Sequence, residues 1–381
     1  MHGRAGLPPR CVRAPALGRV ASASVISWRQ GTVARLGASW PGAIELWADV
    51  GGDMVPALAY PALVGVPRIG DLALLNTTAL DLELGTGGYA MVVALPGRLP
   101  PDSPDPGYLV KARYTPQQVS VHGVDAQESP HHGVLAGADS LDGMPVVIAD
   151  LHSALPAVLA GLRPDRPSTR VVYVMSDGGA LPIWLSRTVA ALREAGWLHA
   201  SVTVGQAFGG DLEAVTLHTG LLAARHVLGA EVVVVAQGPG NLGTGTRWGY
   251  SGVAAGEAVN AVATLGGRPV GSLRISDADP RTRHQGISHH SRTAYGRVAL
   301  APADIVVPEL EEPLASAVEA DLAGFGARHR VVRVPAAGLL DALRAAPVTL
   351  STMGRGLDED LAYFVAAAAA GRHAASLLSN S

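Results

Sequence analysis

The chain has almost no lysine and almost no cysteine, and each shortage excludes a class of chemistry. Lys111 is the only lysine among 29 basic residues. A Walker loop needs a lysine directly after its glycines, and none stands there. A pyridoxal Schiff base needs a lysine in the site, so PLP is not expected unless Lys111 reaches across from the N-terminal part of the chain. Cys11 is the sole cysteine, which leaves no intrachain disulfide, no thiolate zinc knuckle and no Fe–S cluster. Neither His-Glu-x-x-His nor Gly-x-Ser-x-Gly occurs. Charge is sparse too: 16% of residues carry it, with a net charge of −3. No nucleic-acid partner driven by global electrostatics is expected from that balance. No apolar run reaches the roughly 18 residues of a membrane span, so no membrane partner is expected either. Residues 1–22 are arginine-rich without an apolar h-region, which reads as a flexible tail, not a secretory signal, and gives a cytoplasmic expectation.

What is present supports a large core. Apolar residues make up 48% of 381, and mean hydropathy is +0.25, so global disorder is excluded. Glycine (46) and proline (27) are spread through loops along the whole chain. From residue 23 to 114 the pattern is of short strands separated by Gly, Pro and Asp: Ser24–Trp28, Thr32–Leu36, Ile44–Asp49, Met54–Leu58, Asp71–Asn76 and Tyr89–Ala94. Strands so short and so evenly spaced predict a small antiparallel β-barrel-like domain. The turn Ile69-Gly70-Asp71 resembles one common in biotinyl- and lipoyl-type barrels. The lysine such domains modify is missing from this stretch, so no lipoyl group is expected.

Residues 115–143 form a Pro/His-containing connector, with Glu128, His131 and His132 as lid candidates. From 144 to 381 the period changes. Apolar strands near Met144–Ala149, Val171–Ser176, Val202–Gly205, Val232–Ala236, Val270–Ile275, Ile305–Pro308 and Val331–Val334 alternate with helical stretches, including Leu155–Leu162, Leu212–Leu228, Ser251–Leu265, Ser288–Val298 and Leu339–Ala345. This alternation predicts a doubly wound, Rossmann-like α/β fold with a mostly parallel sheet.

Ligands in such sheets bind at the carboxyl ends of the strands, and five successive βα loops there carry unusual chemistry. The first contains Asp150 and His152, which an extended segment would present on one side as metal ligands. The second contains Asp177. The fourth reads Gly238-Pro239-Gly240-Asn241-Leu242-Gly243-Thr244-Gly245-Thr246-Arg247. Its glycines suit a backbone approach to an anion, with Arg247 beside them. As a dinucleotide fingerprint it is poor, because it follows the domain's fourth strand and Pro239 removes a donor. The fifth holds Asp277, Asp279, Arg281, Arg283, His284, His289 and His290. Histidine and aspartate there suit acid/base catalysis or metal ligation, and the arginines suit a planar anion. The competing reading is a solvated loop with helix-capping aspartates. Ser288 is the expected N-cap of a helix opening at His289. Adjacent residues there point about 100° apart, which predicts one functional and one structural histidine.

Asn76-Thr77-Thr78, Gly85-Thr86-Gly87-Gly88-Tyr89, Gly238 to Gly245 and Gly286-Ile287-Ser288-His289-His290-Ser291 resemble the corresponding segments of a bacterial family of uncharacterised proteins, known only as a domain of unknown function. The resemblance covers nearly the whole chain apart from the two tails and implies no reaction, substrate or cofactor. The residues themselves point to an enzyme that hydrolyses, or transfers a group to or from, a small anionic metabolite, phosphorylated or nucleotide-like. In that reading Gly238, Gly240, Asn241, Gly243, Gly245, Arg247, Asp177 and Arg281 hold the ligand. His289, His290, Asp277 and Arg283 carry the chemistry, and Asp150, His152, Asp279 and His284 hold a divalent metal, the one cofactor the sequence suggests. The alternative is a non-catalytic metabolite sensor whose β domain reports to a partner; a homo-oligomer is compatible with either.

Overall fold

Runs of β-branched residues with no polar face can be buried only between two helical layers, and that is where Val146, Val172, Val202, Val233 and Ile305 lie. The computed structural model describes residues 24–84 and 87–379; the tail over 1–22 and the Gly85-Thr86 pair of the resemblance lie outside them. The N-terminal strands β1 (Trp28–Trp40), β2 (Ala43–Val50), β3 (Asp53–Ala59), β4 (Leu72–Asn76) and β5 (Ala90–Ala94) close into a barrel in the order β1-β2-β3-β5-β4. Of the two strands expected over 24–36, residues 24–27 are irregular and the second lies within β1, which shifts register between Val33 and Arg35 and again between Leu36 and Ser39. The β3–β5 seam is parallel, so the barrel is not wholly antiparallel. Its core is small: Val33, Leu46, Ala57, Leu75 and Val92.

A hairpin of β6 (Leu109–Lys111), before the connector, and β7 (Val119–Val121), within it, follows. Then come the strands of the main sheet: β8 (Pro145–Ile148), β9 (Val171–Ser176), β10 (Ala200–Thr203), β11 (Leu212–Glu213), β12 (Val232–Gln237) and β13 (Arg268–Ser272). A small hairpin of β14 (Ile275–Ser276) and β15 (Gly286–Ile287) precedes the last two, β16 (Asp304–Pro308) and β17 (Arg330–Val334). The eight strands are ordered β11-β10-β9-β12-β8-β13-β16-β17 and every pairing is parallel.

Alternate strand residues face opposite helical layers. One layer holds α1 (Ala154–Leu162), α2 (Arg187–Glu194), α7 (Leu339–Arg344) and α8 (Leu361–Ser376); the other holds α3 (Leu217–His226), α4 (Ala254–Thr264) and α6 (Leu314–Leu322). Between them lies the five-residue α5 (His289–Thr293), which continues as a π-helix over Ala294–Val298. From β8 the chain moves toward β9, and from β12 it crosses to β13. The carboxyl ends of β8 and β12 therefore form a topological switch point. Among the described residues, no helix is long and apolar enough to cross a membrane.

Candidate functional site

Strand β8 ends at Ile148 and the chain bends through residues 150–153, so the two-residue period that would set Asp150 and His152 on one side no longer holds. They part company. His152 turns to Tyr173 Oη (3.0 Å) and Ser186 Oγ (2.7 Å). Asp150 turns the other way, with Oδ2 buried, unpartnered and 3.6 Å from His290 Nδ1.

The β14–β15 hairpin holds both ends of the fifth loop and delivers its histidines to the same place. Ser288 caps α5 as expected, its hydroxyl accepting from His290 N at 3.2 Å. The same hydroxyl meets His284 Nδ1 at 2.7 Å, which fixes that ring and leaves its Nε2 free. The rings of His289 and His290 lie 4.4 Å apart, and His284 is 4.9 Å from each. One nitrogen from each of the three lies within 4.8 Å of the others. The expectation that His289 and His290 must diverge is therefore corrected: Cβ vectors fan out around the helix, but long rings at its open first turn converge at their tips. Tyr250 stacks flat on His290 at 3.8 Å and donates its hydroxyl hydrogen to His290 O at 2.8 Å, locking the ring plane. His289 Nε2 and His290 Nδ1 are buried without a partner. Burial, and then the charges of neighbouring His290 and of Arg283, Arg292 and Arg274, push His289 down to about 4. Burial with Arg274 and Arg281 pushes His284 down to about 3. Both rings are thus neutral at pH 7, the state a metal ligand or a base requires.

Asp279 does not join this cluster. It is fully buried and wrapped by Arg274 (3.0 Å), Arg281 (2.8 Å) and Arg355 (3.3 Å). Burial alone would raise its pKa, but the hydrogen bonds and charge of Arg281 and then the charge of Arg274 outweigh it and hold the carboxyl far below the usual range. The pairing occupies Arg281 as well. Asp277 and Arg283 are exposed at the mouth of the loop.

The glycine loop lies elsewhere, between two cavities. Gly238 is pressed so closely on Ala180 that a Cβ would come within 2.4 Å of its carbonyl oxygen, so this glycine serves loop packing. Asn241 Oδ1 accepts from Gln237 Nε2 (3.2 Å) and Ser251 Oγ (2.8 Å), an internal tie. Gly240 and Gly243 line a cavity of about 1300 Å³ between the barrel and the α/β domain, together with His152, Ser186 and Arg113. Gly245 and Arg247 face solvent. Asp177 accepts from Gln206 N at 2.8 Å. It also borders a cavity of about 320 Å³ that Asp150, Gln237 and His218 line beneath the switch point.

Of the connector residues, His131 and Glu128 line a third cavity against the β11 edge, apart from the histidine cluster. Lys111 does reach the α/β domain, where it donates to Glu213 Oε2 (2.7 Å), Ala207 O (2.7 Å) and Thr203 O (3.0 Å). Three partners were not visible from sequence: Tyr250, Ser186 and Tyr173. Tyr173 stands within strand β9 and Ser186 and Tyr250 just before helical turns, and only the folded topology brings each to a histidine.

A family model described as protein of unknown function (DUF3866) matches residues 56–371. No curated protein matches the chain.

Proposed function

We propose that this chain, which belongs to the DUF3866 family, is a metal-dependent hydrolase or group-transfer enzyme acting on a small anionic metabolite at the carboxyl edge of its parallel sheet. The observation that carries this reading is the trio His284, His289 and His290, with ligating atoms within 4.8 Å of one another. Three clustered imidazoles, of which His284 and His289 are neutral at pH 7, suit a zinc-type divalent ion in a reactive site. With His290 Nδ1 turned to Asp150, its Nε2 is left for the ion, and the carboxylate behind the ring would orient it and offset charge. Such an ion would polarise a substrate oxygen and lower the proton affinity of bound water.

The substrate's sign follows from the surroundings. Arg274, Arg283 and Arg292 all act on His289 through their charge. Arg274 is bound to Asp279 and Arg292 to Asp321, whereas Arg283 is exposed and makes no ion pair among the described residues. It is the guanidinium best placed to meet a phosphate or carboxylate and neutralise charge that develops during reaction. Of the sequence-derived assignments, this reading keeps His284 as a metal ligand and Arg283 against the anion, moves His289 and His290 from acid/base catalysis to metal ligation and Asp150 to a place behind His290, and uses none of His152, Asp279, Arg281, Asp277, Asp177, Arg247 or the glycine loop.

The test is turnover of a panel of phosphomonoesters, phosphodiesters and nucleotides by zinc-loaded protein, before and after chelation. Turnover abolished by chelation and restored by metal supports the proposal, and Arg283→Ala should then raise KM for the anionic substrate. Tight metabolite binding without turnover or metal would favour the sensor reading instead.

A further inference from the structure

A second hydrogen-bonded chain runs through the wall of the large cavity, away from the histidine trio, and the direction of each of its bonds can be deduced. Tyr173 Oη lies 2.8 Å from Gln237 O. A carbonyl can only accept, so the phenol donates there. Its oxygen is then the acceptor for His152 Nδ1–H at 3.0 Å. That fixes the tautomer: Nε2 is bare, and at 2.7 Å it accepts the proton of Ser186 Oγ. Tyr173 is fully buried and Ser186 is 5% exposed, so the chain is shielded from bulk water along most of its length. Burial drives His152 down to about 4, which leaves it neutral at pH 7.

A serine that only capped α2 would need no imidazole. Ser186 does cap it, accepting from Val189 N at 3.0 Å, yet its own proton is committed to His152. The next two residues, Arg187 and Thr188, occupy the first positions of α2, where backbone N–H groups have no intrahelical acceptor. Neither N–H has a partner among the described residues, and both residues line the same cavity as Ser186 and His152. Trp40, Tyr60, Leu63, Met91 and Phe208 supply an apolar stretch of its wall, which they share with the polar Arg113, Gln117 and Gln206.

We infer that Ser186, His152 and Tyr173 form a nucleophilic relay that hydrolyses carboxylic esters with an apolar acyl chain bound in the interdomain cavity. Ser186 Oγ attacks the acyl carbon while its proton passes to His152 Nε2. The ester C–O bond breaks, and His152 returns the proton to the departing alcohol. Water then adds to the acyl-serine by the same route, releasing the carboxylic acid and restoring Ser186. The N–H groups of Arg187 and Thr188 face the oxyanion that forms in each half-reaction. Tyr173 touches no substrate; it is a positioning residue that holds the tautomer. The inference is independent of the proposed metal site, because no residue of the histidine trio takes part.

The test uses the full-length protein with a fluorophosphonate probe, peptide mass spectrometry, and p-nitrophenyl esters from acetate to octanoate. The expected result is a phosphonyl adduct on Ser186 and ester hydrolysis that rises with chain length and is unaffected by a chelator. Ser186→Asn keeps a side-chain oxygen for the cap and should carry no adduct. His152→Gln should slow labelling by about 100-fold or more. Tyr173→Phe should lower kcat about tenfold with KM unchanged, a split that loss of packing alone would not give. Absence of an adduct on Ser186 in the folded wild-type protein overturns the inference. So does equal labelling of His152→Gln, or ester hydrolysis that chelation abolishes, which would assign that activity to the histidine trio.

Discussion

Asp150 keeps Oδ2 buried and unpartnered 3.6 Å from His290 Nδ1, a situation a carboxylate sustains only with a positive charge close by. Asp150→Asn should therefore weaken zinc affinity about 10- to 100-fold while leaving the melting temperature of the metal-free protein unchanged or higher; unchanged affinity would remove Asp150 from the site. His152 gives a separate, pH-dependent expectation. Burial lowers it from the ordinary 6.5 to about 4, so on acidification the unfolded chain takes up its proton before the folded one. The stabilisation is complete above pH 6.5 and is lost as pH falls toward 4, at a slope of up to about 1.4 kcal/mol per pH unit. Denaturant titrations at pH 7 and pH 5 should show wild type losing more stability than His152→Gln, and parallel losses would exclude His152 as the responsive group. At this scale the sequence singled out Asp150, His152 and the fifth-loop histidines at the carboxyl edge of the sheet but not their partners. Asp150 and His152 are two apart, and a single bend after the strand sends them to different cavities. Tyr250 and Ser186 gave no local signal at all.

The parallel strands were legible because fully buried strands must be apolar on both faces, and Val232–Gln237 could be little else. Helix α8 was missed for the converse reason. Its run of alanines is buried on every side, with 13 of its 16 residues buried, so no amphipathic stripe marks it. The expected helix over 212–228 is shorter, because Leu212–Glu213 is claimed by the sheet edge and Thr216 caps α3 at Leu217. Helices α1 and α8 approach through two glycines. A Cβ on Gly161 would lie 1.8 Å from Ala368 O, and one on Gly371 would lie 1.9 Å from Val158 O. Neither residue has a left-handed φ, so the requirement is for space alone. Gly161→Ala should thus cost several kcal/mol despite favouring the helix by about 1 kcal/mol, read as a fall in the denaturation midpoint. A neutral result would mean that the two helices separate without penalty.

Across the whole molecule, barrel and α/β domain share one interface centred on Trp184. Its carbonyl accepts from Trp40 Nε1 at 2.7 Å, its ring packs on Tyr60 and Phe208, and Arg187 joins Glu45 of the barrel while covering Trp40. Strand β6 supplies a second tie, the buried Lys111–Glu213 pair. Burial lowers the lysine and raises the glutamic acid, each opposed by the charge of the other, so each charge is maintained by its partner. Lys111→Met should destabilise the protein by about 3–5 kcal/mol, with Lys111→Met/Glu213→Leu closer to wild type. A double variant as unstable as the single one would show that backbone acceptors, not charge, set the cost. A change of hydrophobic period distinguishes the two parts of the chain in sequence, but nothing local records that a lone lysine at the end of β6 reaches the edge of the sheet.

The proposed metal site is made of three histidines brought together from two sides of one loop. Elemental analysis of protein equilibrated with zinc and freed of excess ion addresses this directly. One zinc per chain is expected in the wild type, and less than a tenth of that in each of His284→Ala, His289→Ala and His290→Ala, with the fold retained by circular dichroism. A wild-type chain that holds no zinc, or variants that keep it in full, would contradict the assignment of the cluster.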